Sequence, residues 1–86
     1  MNYRISKHAS QEMWQRGITE DLVRTILREP HQVVEERESL VAFQSRIRFE
    51  EDRWFLIRVL VNPLVDPVVV VTVYRTSKIA KYWKKI

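Results

Sequence analysis

The chain has 86 residues, 45% of them hydrophobic, a formal net charge of +4 and no cysteine. This length predicts one domain, residues 1–86, and the missing cysteines exclude a disulfide framework and thiolate metal sites. The N-terminus does not resemble a signal peptide, and the apolar stretches are too short to span a membrane, so we expect a cytoplasmic protein without a membrane partner.

Two helices are predicted near the N-terminus, after a short edge strand at Tyr3–Ile5. Ser6 is a typical N-cap for a helix over Lys7–Arg16, and Gly17 is a typical residue just after a helix end. A second helix follows, capped by Thr19 and ended before Pro30 because proline cannot continue a helix. The two helices are therefore predicted to form a hairpin.

From Gln32 onward the apolar period changes from 3.6 to 2, which indicates strands. A short strand is followed by three alternating segments, at residues 41–49, 54–61 and 68–74, joined by a polar loop and by a loop with two prolines. Residues predicted to lie buried beneath the helices are Phe43, Ile47, Phe55, Ile57, Val59, Val71 and Val73.

The residues from Ser77 onward predict a closing helix. Its apolar stripe comprises Ile79, Trp83 and Ile86, and its basic stripe comprises Lys78, Lys81 and Lys85. The predicted fold class is α+β, with two N-terminal helices packed on a three- to four-stranded antiparallel sheet and a C-terminal helix.

The positive charge is concentrated in the C-terminal part of the chain. Residues 1–52 carry eight Lys/Arg and ten Asp/Glu, whereas residues 53–86 carry seven Lys/Arg and one acidic residue, Asp66. Such a distribution favours a polyanionic partner, which it attracts by electrostatic steering and counterion release. A nucleic acid or an acidic protein is therefore the expected partner, and the alternative is a soluble protein with a lysine-rich tail.

The alternation also predicts which side chains share the second face of the sheet, the face opposite the one that lies beneath the helices. If the apolar sets of paired strands coincide, Arg46, Arg58 and Thr72 form one transverse row on that face. The next row would contain Arg48, Leu56 and Tyr74.

Two arginines directly opposite each other are destabilising unless an anion lies between them. A phosphate would suit this pair, since guanidinium groups bind phosphate oxygens through a planar fork. In the alternative interpretation both side chains point into solvent or pair with acidic residues. The acidic residues available for such pairs are Glu35, Glu36 and Glu38.

Proton transfer would need a titratable group near this row. His8, in the first turn of the first helix, is a candidate general acid or base, and its alternative role is that of a surface or capping residue. Tyr74 and Tyr82 could stack on a base or donate a proton, or belong to the core. Trp14 is predicted to be exposed. No metal site, glycine-rich phosphate loop or nucleophile motif is present in the sequence, and no cofactor is expected.

Two segments of the chain resemble a known family. The run ISKHASQEMWQRGITEDLVRTILREP and the ending VVVVTVYRTSKIAKYWK are similar to the first helices and to the last strand and helix of the domain-of-unknown-function family numbered 4258. This similarity rests on the His8-Ala9 pair, the Arg16-Gly17-Ile18 turn and Pro30, and it covers nearly the whole chain.

This resemblance implies a relation to the RelE/ParE and BrnT-like toxins of type II toxin–antitoxin pairs. Many of these are metal-independent ribonucleases that assist attack of a 2′-hydroxyl on the neighbouring phosphate from a basic sheet face. By that analogy the catalytic candidates are His8, Arg46, Arg58 and Tyr74, and the RNA-binding candidates are Arg48, Thr72, Arg75, Lys78 and Lys81. The strands differ from the RelE pattern because they carry arginine but no lysine.

The leading interpretation is therefore an endoribonuclease toxin that acts on RNA, including mRNA on the ribosome, and is held by a cognate antitoxin. The alternative is a non-catalytic basic domain that binds an antitoxin, a topoisomerase or nucleic acid. Arg58 is the most informative residue, because a charge inside the apolar run WFLIRVLV needs compensation. A phosphate would provide it, and so would a buried salt bridge to Glu35 or Glu36.

Overall fold

Five strands form one mixed sheet in the computed structural model, which describes residues 1–85. Three helices complete the α+β fold. In chain order the elements are β1 (Tyr3–Ile5), α1 (Lys7–Arg16), α2 (Glu20–Arg28), β2 (Gln32–Glu35), β3 (Val41–Arg48), β4 (Trp54–Asn62), β5 (Val68–Thr76) and α3 (Ile79–Tyr82). The strands lie side by side in the order β1-β5-β4-β3-β2.

The ends of α1 and α2 confirm the predicted caps. The side chain of Ser6 accepts a hydrogen bond from the backbone N–H of Ala9 at 3.0 Å, and that of Thr19 accepts one from Leu22 at 3.1 Å. Gly17 follows α1 with φ = 65°, a left-handed conformation that glycine adopts without steric cost. These helix boundaries are set by local chemistry.

The main core lies between α1, α2 and one face of the sheet, which we call the helix face. The fully buried members of this core are Ala9, Met13, Ile18, Val23, Ile26, Leu27, Ile57, Val59, Val61, Val70 and Val73. The predicted burial is confirmed for Ile57, Val59 and Val73, whereas Phe43, Ile47 and Phe55 are half-buried.

The predicted burial of Val71 is wrong. A bulge between Leu60 and Val61 shifts the pairing of β4 with β5, so that Val61 lies opposite Val70. Val70 is therefore fully buried and Val71 only half-buried. An extra residue in one strand reverses the inward-outward alternation beyond it, and the apolar pattern of four consecutive valines carries no sign of this change.

The prediction of a three- to four-stranded antiparallel sheet is also wrong in its details. The sheet has five strands, and β1 pairs with β5 in parallel, with Tyr3 opposite Val68 and Ile5 opposite Val70. The other neighbouring pairs are antiparallel. Since β1 is followed by helices and not by a hairpin turn, no tight turn imposes an antiparallel direction on it.

The predicted rows on the second face are shifted by two residues. Arg58 lies opposite Gln44 on β3 and opposite Tyr74 on β5, and Arg46 lies opposite Leu56. The correct faces were predicted because the side-chain period is 2, so a shift of two residues leaves every side chain on its face. The turn between β3 and β4 fixes their register, and the apolar pattern of the two strands does not reveal that register.

The C-terminal helix is shorter than predicted. α3 has four residues, and the chain continues without helical structure from Trp83 to Lys85. The predicted stripe of Ile79, Trp83 and Ile86 is therefore not a helical stripe in the described part, and Ile86 lies outside the described residues. No helix within residues 1–85 has the length and apolar character that a membrane crossing requires.

Candidate functional site

Arg58 is the centre of a buried polar cluster on the second face of the sheet. Its side chain is 3% exposed, and each nitrogen of the guanidinium donates one hydrogen bond. Nε donates to Oε1 of Gln44 at 2.7 Å, Nη1 donates to the hydroxyl of Tyr74 at 2.7 Å, and Nη2 donates to the carboxylate of Glu36. A charged group taken out of water at mid-strand thus has protein partners at every nitrogen.

An aromatic pair covers the same guanidinium. Its central carbon lies 4.5 Å from the ring centroid of Tyr82, and the rings of Tyr74 and Tyr82 meet edge to face at 6.1 Å. Aromatic faces attract cations, and this attraction grows where water is excluded. We call Arg58, Glu36, Gln44, Tyr74 and Tyr82 the Arg58 cluster.

Two glutamines attach the C-terminal segment, residues 79–85, to this cluster. Nε2 of Gln44 donates to Oε1 of Gln32 at 2.9 Å and to the backbone carbonyl of Tyr82 at 3.2 Å. Gln32 in turn accepts from the backbone N–H of Lys84 at 3.1 Å and donates to its carbonyl at 2.6 Å. Because these side chains bind the backbone of Tyr82, the last residue of α3, and of Lys84, they hold the C-terminal segment over the sheet.

The surroundings shift the pKa of two members of the cluster, Arg58 and Tyr74. Burial disfavours the charged form of Arg58, but hydrogen bonds to Tyr74 and Glu36 outweigh it and raise the pKa of Arg58 above its ordinary value. Burial raises the pKa of the Tyr74 phenol above its ordinary value, although the Arg58 guanidinium acts in the opposite direction. At neutral pH Tyr74 therefore keeps its proton and is an acid, not a base.

A second group of side chains combines two exposed arginines with two indoles, of which one is exposed and the other, Trp83, is half-buried. The guanidinium of Arg46 lies 3.8 Å from the ring centroid of Trp83, and that of Arg48 lies 6.0 Å from the ring centroid of Trp54. Trp54 is 53% exposed. We call Arg46, Arg48, Trp54 and Trp83 the Arg–Trp face. A shallow cavity of about 330 Å³ lies there, lined by Arg46, Trp54 and Ile79.

His8 lies in the first turn of α1, as predicted, and its contacts are away from the Arg58 cluster. Its Nε2 is 3.3 Å from the carboxylate of Glu12 on the next turn of α1, and its side chain is 68% exposed. The same carboxylate accepts hydrogen bonds from the hydroxyl of Thr72 and from the backbone N–H of Val73. Glu12 thus pairs with an N–H at the free edge of β5, and His8 and Thr72 belong to this edge, not to the Arg58 cluster.

Arg75 also lies elsewhere, because it pairs with Ile57 and so points to the helix face. Its guanidinium lies 4.8 Å from the ring centroids of both Phe49 and Phe55. Lys78 and Lys81 are exposed at α3, and Nζ of Lys81 lies 5.2 Å from the Tyr82 ring. Of the nine predicted site residues, the fold therefore brings Arg58 into contact with Tyr74 and places Arg46 and Arg48 together on the Arg–Trp face.

Several residues of these surfaces were not predicted as site residues, among them Gln44, Gln32 and Trp54. The sequence signal for Gln44 was a polar residue in the middle of an alternating strand, and Gln44 is fully buried. The signal for Trp54 was an indole on the polar side of the alternation, next to Arg53. Glu36 was named only as a salt-bridge alternative for Arg58, and the fold confirms this pair.

Within residues 1–85, no group of three or more His, Asp or Glu side chains is arranged to hold a metal ion. The side chains of the two surfaces offer hydrogen bonding, cation–π contact and proton transfer.

Comparison with known proteins gives one result. The family profile described as "Domain of unknown function (DUF4258)" matches residues 5–75, from β1 almost to the end of β5. No curated protein and no solved structure matches the chain significantly. The matched range includes Arg58, Tyr74 and most of the Arg–Trp face, but not the C-terminal segment.

Proposed function

Because this chain belongs to the domain-of-unknown-function family DUF4258, whose description names no activity, we propose a function from surface chemistry: the domain binds single-stranded RNA. The binding surface is the Arg–Trp face together with the lysines of the C-terminal segment. The protein would act in the cytoplasm as the toxin of a type II pair, held by a cognate antitoxin.

The observation that supports this proposal is the pairing of each arginine on the Arg–Trp face with an indole ring. Single strands offer phosphates and unstacked base faces, and their binding sites combine cations with aromatic platforms. Trp54 is exposed enough for a base to stack on it, and Arg46 has no carboxylate within 4 Å among residues 1–85. Arg48 has one, Asp52 at 3.7 Å, in an exposed pair. Such pairs are weak and exchange readily with another anion.

The C-terminal segment adds further positive charge beside this surface. Lys81 and Lys84 are exposed on it, and the glutamine contacts keep the segment against the second face of the sheet. The domain thus presents phosphate-binding cations around a stacking platform.

The test uses a short 5′-labelled single-stranded RNA and measures fluorescence anisotropy in EDTA. Trp54→Ala removes the platform, and Trp14→Ala is the matched control because Trp14 is 88% exposed on α1, outside the Arg–Trp face. We expect Trp54→Ala to weaken binding about 5- to 150-fold, the range that one base–aromatic stack provides. Equal loss in the two variants, or none in either, would contradict the proposal.

A second candidate function is metal-independent RNA cleavage by the same domain. The observation that favours it is the contact of one guanidinium with both a protonated phenol and a carboxylate, Tyr74 and Glu36. In such a reaction Glu36 would take the proton of a 2′-hydroxyl as that oxygen attacks the phosphate. Tyr74 would give its proton to the departing 5′-oxygen, leaving a 2′,3′-cyclic phosphate and a 5′-hydroxyl, and Arg58 would stabilise the charge that develops.

RNA binding is the stronger of the two proposals, because Arg58 is 3% exposed and each nitrogen of its guanidinium already donates to a protein group. Cleavage would require a phosphate to displace Glu36 from Nη2. A gel assay in EDTA with identification of the product ends tests this. We expect Tyr74→Phe and Glu36→Gln each to reduce cleavage by about 100-fold, as for one transition-state contact, while RNA binding persists. If cleavage is unchanged in both variants, or if the unaltered protein does not cleave RNA, only the RNA-binding proposal stands.

A further inference from the structure

A pocket on the helix face brings together three arginines and two phenylalanines. It lies between the C-terminal end of α1 and the turn that joins β3 to β4, with a volume of about 510 Å³. Small-molecule sites commonly have volumes of about 300–1,000 Å³. Its lining includes Arg16, Phe49, Arg53, Phe55 and Arg75, and we call it the Phe–Arg pocket.

Two arginines of this pocket, Arg53 and Arg75, are positioned by aromatic rings and not by carboxylates. The guanidinium of Arg75 lies 4.8 Å from both phenylalanine centroids, and that of Arg53 lies 5.3 Å from the centroid of Phe55. The two rings meet edge to face at 5.4 Å and 85°. Contact with a ring face orients a guanidinium but leaves its charge and its N–H groups available.

The cations of the Phe–Arg pocket are not neutralised by close ion pairs. Among residues 1–85, no carboxylate lies within 4 Å of Arg53 or Arg75. Arg16 has only a long contact, 3.8 Å from Glu12. The two guanidinium groups against the ring of Phe55 repel each other. A bound anion with several oxygens would relieve this repulsion and accept hydrogen bonds from both groups.

The acidic residues of the same turn restrict the size of that anion. Glu50 and Glu51 also line the pocket, and both are exposed. Their charges repel a phosphate chain that runs across the pocket, whereas a single compact or terminal phosphate can reach the arginines without extending past them. By contrast, the ion pairs found within residues 1–85 give the Arg–Trp face a single carboxylate contact, that of Arg48 with Asp52.

We propose that the Phe–Arg pocket binds a compact phosphate monoester, the free phosphate of a nucleotide or the terminal phosphate of an RNA. The site is independent of the proposed RNA-binding surface, because Arg75 lies on the opposite face of the sheet from Arg58. Arg75 and Arg53 bind the phosphate oxygens through their forks, and Phe49 and Phe55 hold the two guanidinium groups in place.

The probes are adenosine 5′-monophosphate, inorganic phosphate and adenosine, titrated into ¹⁵N-labelled protein with NMR detection and calorimetry. We expect the two phosphate-bearing probes to shift the amide signals of Phe49, Phe55 and Arg75 saturably, and adenosine to leave them unchanged. Comparison of a 5′-phosphorylated with a 5′-hydroxyl RNA, in the Trp54→Ala background, then distinguishes an RNA end from a free nucleotide as the source of the phosphate.

Two variants and a matched control complete the test. Arg75→Gln and Arg53→Gln should each raise the Kd for adenosine 5′-monophosphate about tenfold or more, as expected for loss of hydrogen bonds to a charged group. Arg28→Gln, an exposed arginine at the end of α2, should leave it unchanged. Since Arg53 lies in an exposed turn, its variant tests the site even if Arg75→Gln unfolds. Equal affinity for adenosine, unaltered affinity in Arg53→Gln, or shifts centred on Trp54 would overturn the proposal.

Discussion

Arg58, on the central strand of the sheet, donates a hydrogen bond to the carboxylate of Glu36, which directly follows the edge strand β2. The guanidinium is 3% exposed and the Glu36 side chain is 29% exposed, so the pair joins the buried interior to the surface. Its position explains how a charge is tolerated inside the apolar run of β4, and it makes Arg58 a structural residue in addition to any role with RNA.

Arg58→Ala is expected to destabilise the fold by about 3–5 kcal/mol, the usual effect of removing one partner of a buried ion pair. The variant leaves Gln44 and Glu36 without their shared donor. Urea unfolding followed by circular dichroism measures the change, with Arg46→Ala as the control because Arg46 is exposed on the same face. Similar unfolding midpoints for the two variants would show that the Arg58 cluster contributes little to stability.

The raised pKa of Tyr74 predicts a loss of stability in alkaline solution. A phenol whose pKa is higher in the folded than in the unfolded chain stabilises the fold fully below the unfolded value of about 10. That contribution is lost as the pH rises above 10 through the folded pKa, because the unfolded chain releases the proton more easily.

The measurement is the free energy of unfolding from pH 8 to pH 11 for the unaltered protein and for Tyr74→Phe. The difference between the two curves isolates Tyr74 from the lysines, which titrate in the same window. We expect this difference to shrink above pH 10. A constant difference across the window would mean that Tyr74 ionises equally in the folded and unfolded chains.

Salt dependence distinguishes the two kinds of contact on the Arg–Trp face. For single strands, log affinity falls with log salt with a slope near −0.7 per neutralised phosphate. Arg46→Gln should therefore make this slope less steep by about 0.7, whereas Trp54→Ala should lower affinity and leave the slope unchanged. Anisotropy titrations at several salt concentrations give both values. Binding without salt dependence would indicate a protein partner in place of RNA.

The main core is tested at Ile57, which is fully buried under the helices. Ile57→Ala should cost roughly 2–5 kcal/mol of stability through lost burial and the cavity that remains. Val33→Ala, on the edge strand and 55% exposed, is the control and should change stability by less than about 0.5 kcal/mol. Thermal denaturation of both variants is sufficient, and equal melting temperatures would contradict the described core.

Local features of the chain were predictable because their causes lie within a few residues. Ser6, Thr19 and Gly17 set the helix ends through contacts with their own neighbours in sequence. The strict alternation in β4 assigned Ile57 and Arg58 to opposite faces, since a period of 2 leaves no other choice. The composition likewise showed an excess of cations in the second half of the chain, without showing which side of the sheet would carry them.

The partners of each side chain were decided by the tertiary structure alone. Alternation cannot distinguish registers that differ by two residues, so Gln44, not Arg46, lies opposite Arg58. His8 contacts Glu12 at the free edge of β5, and the helix that carries both is placed by packing against the sheet. The backbone of the C-terminal segment is bound by the side chains of Gln44, 38 residues before Tyr82, and Gln32, 52 residues before Lys84. Contacts between such distant residues depend on how the strands and helices pack, which short-range patterns in the sequence do not encode.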